Sequence, residues 1–198
     1  MPKQDERTRW NARYSAGSHT GLAPDHLLVT AYDEFLRSER PGHALDLAGG
    51  AGRHSLWLAE RGWSVKLVDV SDVAVRLADG RARGLSGGMI TTENLDLSRL
   101  PDLGQDQFDL ILVFYFLERK LFPALIRALK SRGFLIYRTY TVEQRRLVGG
   151  PSNPRYLLQP NELRQAFQDL EILRYGESIT DQATAELVAR KGGTILSS

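Results

Sequence analysis

With 198 residues and 42% hydrophobic side chains, the chain is the size of one compact domain and can fill a core of its own. It has no cysteine, which excludes a disulfide framework, a thiolate metal site and a cysteine nucleophile, and its four histidines lack ligand spacing, so no metal is expected. The 26 basic and 24 acidic side chains leave a net charge of +2, so the pI near 9.0 reflects no dense positive field and charge does not indicate nucleic acid. The longest apolar run, "LILVFYFL", is far too short to span a bilayer, and "MPKQDERTRW" at the start is charged where a leader would be apolar. A cytoplasmic protein without membrane contact is expected, acting as a monomer or homodimer.

In chain order, strands and helices alternate. "HALDLA" reads as a first strand, "RHSLWLAERG" as a helix with Gly62 in the left-handed position that ends it, and "SVKLVDV" as a second strand. Ser71 is a good N-cap for the helix "DVAVRLADGRA", in which Val73 and Leu77 share a face. "MITTENLDL" is a weaker third strand; "FDLILVFY", almost wholly apolar, suits a central parallel strand covered on both faces. "ERKLFPALIRALKSRG" predicts a helix with Leu121, Leu125 and Leu129 on one side and Gly133 beyond its end, followed by the strand "FLIYRTY". After Thr141 comes the Gly/Pro-punctuated "VEQRRLVGGPSNPRYLLQP", then a helix from "ELRQAFQDL" and strands near "EILRYGESIT" and "AELVARK". Parallel neighbours need crossover connections, and these are helical, so the expected fold is α/β, a doubly wound and mostly parallel sheet. The whole chain, 1–198, is read as one domain, with an N-terminal helical lid over 1–40 and a substrate-loop candidate at 141–160.

Chemistry concentrates in the turn after the first strand. In an open α/β sheet the ligand crevice lies beyond the carboxyl ends of the strands. Gly50 and Gly52 lack a Cβ, so the backbone can turn tightly and a ligand can approach it closely. Asp69, seventeen residues after Gly52, ends the second strand, where its carboxylate can take both hydroxyls of a ribose. Together these point to a nucleoside-containing cofactor, although glycine motifs and strand-end aspartates also arise from plain turn and cap chemistry. The spacing Asp46-x-Ala48-x-Gly50-x-Gly52 departs from G-x-G-x-x-G, since the third glycine of that fingerprint falls on Ser55. An NAD-dependent oxidoreductase is therefore disfavoured. Asp46 suits the ammonium of a methionine moiety better than a pyrophosphate.

The stretch "LDLAGGAGRHSLWLAERGWSVKLVDVS" resembles the glycine loop and acidic strand end of Rossmann-like S-adenosylmethionine-dependent methyltransferases. "WNARY" and "PSNPRYLLQPNEL" look like segments of the small bacterial tellurite-resistance-type members. The resemblance implies a seven-stranded sheet with an antiparallel last strand and S-adenosyl-L-methionine as cofactor. It implies that Asp46, Gly50 and Gly52 line the methionine end, that Asp69 and Val70 hold the ribose, and that Asp96 and Leu97 flank the adenine. Phe114 would then lie near the reaction centre, and Trp10 and Tyr14 would belong to a closing segment whose aromatic faces attract a sulfonium. Ala48 stands where the family usually has its first glycine.

The sulfonium carries the difficult chemistry, so the protein chiefly aligns an acceptor, and no general base is obligatory. No catalytic residue is assigned. Tyr115 lies in the right region; His19 is better read as a loop or cap residue, and Arg53 has no role beyond a cofactor contact. Arg138, Tyr140, Arg145, Arg146, Arg155 and Tyr156 fall around the fifth strand's end and the long loop, and an anionic acceptor is favoured if they converge, unless Glu143 neutralises one. The expected substrate residues are Tyr115, Arg138, Tyr140, Arg145 and Arg155. The expected activity is methyl transfer to a small molecule: a thiol, a chalcogen oxyanion or a carboxylate-bearing metabolite. A non-catalytic cofactor-binding sensor or accessory protein is the alternative, because fold and pocket do not prove turnover.

Overall fold

A computed structural model describes residues 4–193. The chain divides into two compact units, 1–101 and 102–198. Its seven strands follow the sheet order β3-β2-β1-β4-β5-β7-β6.

The first unit opens with helix α1 (Gln4–Ser15) and the short α2 (His26–Ala31), which runs into a wider π-turn at Tyr32–Leu36. Asp25 caps α2 by accepting the Leu27 amide at 3.0 Å. Strand β1 (His43–Leu47), helix α3 (Arg53–Ala59), strand β2 (Ser64–Asp69), helix α4 (Asp72–Ala82) and strand β3 (Met89–Asn94) then alternate as the apolar periodicity predicts. β2 pairs in parallel with β1 and β3, from Ser64 opposite both His43 and Met89. Leu45, Leu47, Leu58, Trp63, Val65 and Leu67 form the fully buried interior. Gly62 takes the left-handed conformation after α3, and Ser71 caps α4 by accepting the Ala74 amide, both as expected.

In the second unit, strand β4 (Phe108–Phe114) pairs in parallel with β5 (Leu129–Tyr140). Helix α5 (Phe122–Ala128) is shorter than the apolar spacing predicts, because Leu129 already belongs to β5, opposite Phe108. Gly133 ends no helix. It sits where the β4/β5 register slips, with Arg132 left-handed beside it, and a Cβ there would lie 2.9–3.0 Å from the carbonyl oxygens of Lys130 and Phe108. Helix α6 (Glu162–Ala166) and strands β6 (Glu171–Ile179) and β7 (Ala183–Arg190) follow, with β7 antiparallel to both β5 and β6. The rings of Phe122, Tyr137 and Phe167 meet at centroid distances of 5.1–6.1 Å and build the aromatic part of this core.

Segment 141–160 is folded onto the second unit rather than extended. Thr141 bridges to Leu158, Leu157 and Leu158 are fully buried, and two 3₁₀ turns, Val142–Arg146 and Pro154–Tyr156, shorten its path. Arg119 fixes its far end by donating to both Glu162 carboxylate oxygens at 2.5 and 2.9 Å and to the Leu157 carbonyl at 2.8 Å. Val148 and the two glycines after it form an exposed tip.

Candidate functional site

The turn leaving β1 is shaped by three left-handed residues: Ala48 (φ 57°), Gly50 (φ 56°) and Gly52 (φ 86°). Each glycine has its own reason. A Cβ on Gly49 would press to 2.8–2.9 Å against the Asp46 carboxyl group and Leu67, and one on Gly50 would meet the Tyr14 hydroxyl at 2.2 Å. Gly52 precedes α3 and lies against Ala78 of α4. Ala48 adopts the same left-handed region with a side chain, which costs an L-residue about 1–2 kcal/mol. Ala48→Gly is therefore expected to raise the melting temperature by about 2–4 °C, read by thermal denaturation, the relief of strain outweighing the added flexibility of the unfolded chain.

Two buried carboxylates flank this turn. Asp46, on β1, is 1% exposed and accepts the Ser55 hydroxyl at 2.7 Å; burial pushes its carboxyl up to about 6. Asp69, at the end of β2, accepts the Gly50 amide at 2.9 Å through one oxygen and the Ser71 amide at 2.8 Å through the other. Burial also raises Asp69, and those amide bonds oppose the rise. The Val70 backbone also bonds this carboxylate, so of its about four lone-pair positions one is left for an added hydroxyl donor.

For Asp46 the linkage has a definite sign. The folded carboxyl keeps its proton up to about pH 6, whereas the unfolded one releases it near 3.8, so this group's contribution to stability falls as pH rises across that window. Asp46→Asn removes the titration. Denaturant unfolding between about pH 4 and pH 7 should show the wild type losing stability relative to this variant by up to about 3 kcal/mol. A constant difference across that range would contradict the assignment.

Helix α1 and the turn after it bring three aromatic rings together. Trp10 and Tyr14 lie 6.0 Å apart, with His19 at 5.5 Å from Trp10 and 6.4 Å from Tyr14, and Tyr14 packs with Ala51 and Ala74. His19 is lowered by burial first and then by Arg13 and Arg53, and its backbone is left-handed. Burial and the neighbouring Asp69 push the Tyr14 phenol up, so it is a neutral donor. Asn11 docks the helix: its carbonyl accepts the Ser71 hydroxyl at 2.7 Å and its amide donates to Asp72 at 2.7 Å. Arg53 lies 4.0 Å from Asp25.

The remaining cofactor candidates of this unit are set by the end of β3. Asn94 donates to the carbonyls of Asp69 and Val70, which holds the backbone after β2. Asp96 accepts the Ser98 amide at 3.0 Å and pairs with Arg99, acting as the cap of a 3₁₀ turn, with Leu97 buried beside it.

The second unit has a polar cluster of its own at the end of β4 and β5. Phe114 is buried, while Tyr115 is left-handed (φ 57°), held by its amide bond to the Arg138 carbonyl at 2.8 Å. The Tyr115 ring lies 5.2 Å from that of Tyr140 and 5.7 Å from the Arg138 guanidinium. Gln182 links the phenols, accepting from Tyr115 at 3.3 Å and donating to Tyr140 at 3.4 Å. Arg138 pairs with Glu186 at 3.3 Å. Arg145 is exposed, Arg146 pairs with Glu143, and Arg155 is exposed beside Glu118 at 3.5 Å. The arginines predicted for substrate thus separate, with Arg138 alone in the tyrosine cluster and Arg145 and Arg155 on the surface of the long loop.

Sequence reasoning missed Asn11, Gln182 and Glu186. Glu186 had a signal, a charged residue in the alternation of a strand that pairs with β5, whereas Gln182 lies in a turn and had none. Among the described residues no group of His, Asp or Glu could hold a metal ion, and no helix is long and apolar enough to cross a membrane.

The model of the family described as tellurite resistance protein TehB matches residues 29–187. No curated protein sequence matches the chain. Among solved structures, TehB from Haemophilus influenzae superposes with a TM-score of 0.71 at 22% identity, over 90% of this chain and 66% of that one. The magnesium protoporphyrin IX methyltransferase of Synechocystis PCC 6803, with bound S-adenosylhomocysteine, gives 0.71 at 18% identity over 96% and 100% of the two chains. The [4+2]-cyclase SpnF gives 0.72 at 19% identity over 96% of each, so the fold alone does not dictate the chemistry. What does is the family match over most of the length, on a mostly parallel sheet carrying the glycine turn and Asp69: the chain belongs to the TehB family and is an S-adenosylmethionine-dependent methyltransferase.

Proposed function

We propose that the protein transfers a methyl group from S-adenosylmethionine to a small-molecule acceptor, in the cytoplasm. The observation that carries this reading is Asp69, buried at the end of β2, with one oxygen on the Gly50 amide and the other on the Ser71 amide. It is a preorganised acceptor for a hydroxyl, beside a turn whose left-handed backbone is supplied by glycine. The chemistry of the residues around the turn supports this reading. Asp46 suits an ammonium, Asp69 and the Val70 backbone the ribose, Asp96 and Leu97 the adenine, and Gly50 and Gly52 supply the left-handed backbone of the turn. Trp10 and Tyr14 offer aromatic faces to a cation. When bound, the cofactor supplies a methyl group made electrophilic by a positively charged sulphur. The chain binds and orients it and shields it with α1; Tyr115, Arg138 and Tyr140 are the proposed acceptor contacts. Arg145 and Arg155 are proposed to reach the acceptor only if the 141–160 segment moves, since both lie in solvent.

The test is product formation. Purified protein, S-adenosylmethionine and a panel of thiol, chalcogen and carboxylate acceptors should yield S-adenosylhomocysteine in proportion to one acceptor. Tight cofactor binding with no turnover on any small acceptor would overturn the small-molecule reading.

A further inference from the structure

The face shared by β5 and β7 changes character along its length. Ile136 opposite Val188 is apolar, and the next two same-face pairs are Arg138 opposite Glu186 and Tyr140 opposite Thr184. Because Arg138 and Glu186 are direct cross-strand partners, register holds their charges together at 3.3 Å, with side chains only 18% and 29% exposed. The cluster therefore carries one positive and one negative charge and is neutral as a unit. An anion seated on Arg138 would lie against the partly buried Glu186 carboxylate, and repulsion between like charges there disfavours it.

The surroundings of the pair are aromatic and amide. Tyr115 is a bulky residue in the left-handed region, a conformation costing on the order of 1–3 kcal/mol that persists only where the surrounding structure imposes it and that collects at functional sites. It places one phenol over the guanidinium and beside the Tyr140 ring. The Gln182 bonds to the two phenols, at 3.3 and 3.4 Å, are long and readily exchanged for bonds to a ligand. The Thr184 hydroxyl on the same face is buried and has no hydrogen-bond partner among the described residues.

We propose that Tyr115, Arg138, Tyr140, Gln182 and Glu186 form an acceptor site selective for an uncharged, ring-bearing thiol or phenol, with Glu186 setting that specificity by cancelling Arg138. This rests on the methyltransferase reading above, and it turns the acceptor class away from oxyanions and carboxylates. Phenol faces take a flat ring and the Gln182 amide takes its polar substituent. For a thiol, the acceptor sulphur uses a lone pair to form the new S–CH₃ bond while the cofactor's S–CH₃ bond breaks. That bond's electron pair stays on the cofactor sulphur, and the thiol proton leaves to water.

The experiment compares phenylmethanethiol with para-(mercaptomethyl)benzoate, a matched anion, and with selenite, measuring S-adenosylhomocysteine released. The wild type should favour the uncharged thiol over its carboxylate analogue by at least about tenfold in kcat/KM, the size of one good hydrogen bond or ion pair. Glu186→Gln should shift that ratio about tenfold toward the anion, mostly through KM, while affinity for S-adenosylhomocysteine is unchanged. Gln182→Leu, a second variant at a turn, should raise KM for phenylmethanethiol with kcat retained. A wild type that prefers the carboxylate or selenite, or a Glu186→Gln ratio that does not move, overturns the proposal. Cofactor binding without turnover of phenylmethanethiol overturns it too, yet leaves the methyltransferase reading standing. Failure to bind S-adenosylhomocysteine at all strikes that reading instead.

Discussion

Asp69→Ala lowers affinity for S-adenosylhomocysteine by on the order of 100-fold or more, measured by calorimetric titration. The substitution removes the proposed ribose acceptor and also strips two buried amides, those of Gly50 and Ser71, of the carboxylate they donate to. Each orphaned buried donor costs roughly 1–3 kcal/mol, so stability falls together with affinity. Asp69→Asn preserves the shape and sharpens the test. An asparagine can accept one of these amides, but its NH₂ group must then face the other N–H, donor against donor. It should therefore bind as weakly as the alanine variant. Wild-type affinity in Asp69→Asn would mean that the carboxylate has no part in holding the cofactor.

Gly50→Ala has the second-largest expected effect. The residue is left-handed, at about 1–2 kcal/mol for any side chain, and the new Cβ meets the Tyr14 hydroxyl at 2.2 Å. The tyrosine must move, and with it the docking of Trp10 and His19 on the turn. A fall in melting temperature of about 4–8 °C is expected from a combined cost near 2 kcal/mol, with cofactor affinity reduced further. Tyr14→Phe in the same background should recover part of the loss, because the clash is with the hydroxyl, so the two changes are non-additive. Strict additivity would show that Tyr14 does not fill the space over Gly50.

Much of the fold was legible because local and long-range signals agree. The run from His43 to Ala82 alternates apolar strands with helices punctuated by Gly62 and Ser71, and its elements form with those boundaries. The failure at α5 is equally physical. Leu121, Leu125 and Leu129 keep helical spacing, but Leu129 gains more by pairing with Phe108 in β5, and tertiary pairing overrides an i, i+4 pattern of three residues. Gly133 was read as a helix stop because a glycine after an apolar run has two meanings, stop or bulge, and the partner strand decides between them.

The site was legible where the chain bends and obscure where partners come from afar. Gly50, Gly52 and Asp69 announce a turn and a strand end, so their contact follows from adjacency in a parallel sheet. Asn11 docks onto Ser71 and Asp72 from sixty residues away, and no local pattern marks that contact. The arginines show the reverse case: six polar residues near one another in sequence suggested an anion site, while the charges they pair with, Glu186 for Arg138 and Glu118 for Arg155, come from segments distant in sequence. Proximity in sequence did not disclose what each charge is paired with.

The most direct measurement is calorimetric titration of the wild-type protein with S-adenosylhomocysteine, with Asp69→Ala alongside. The account predicts saturable heat at one ligand per chain, with stabilisation of about 2.7 kcal/mol at a hundredfold excess over the wild-type Kd, and at that ligand concentration no more than about 0.4 kcal/mol in the variant. No heat and no thermal shift in the wild type, or equal binding by the two proteins, would contradict it.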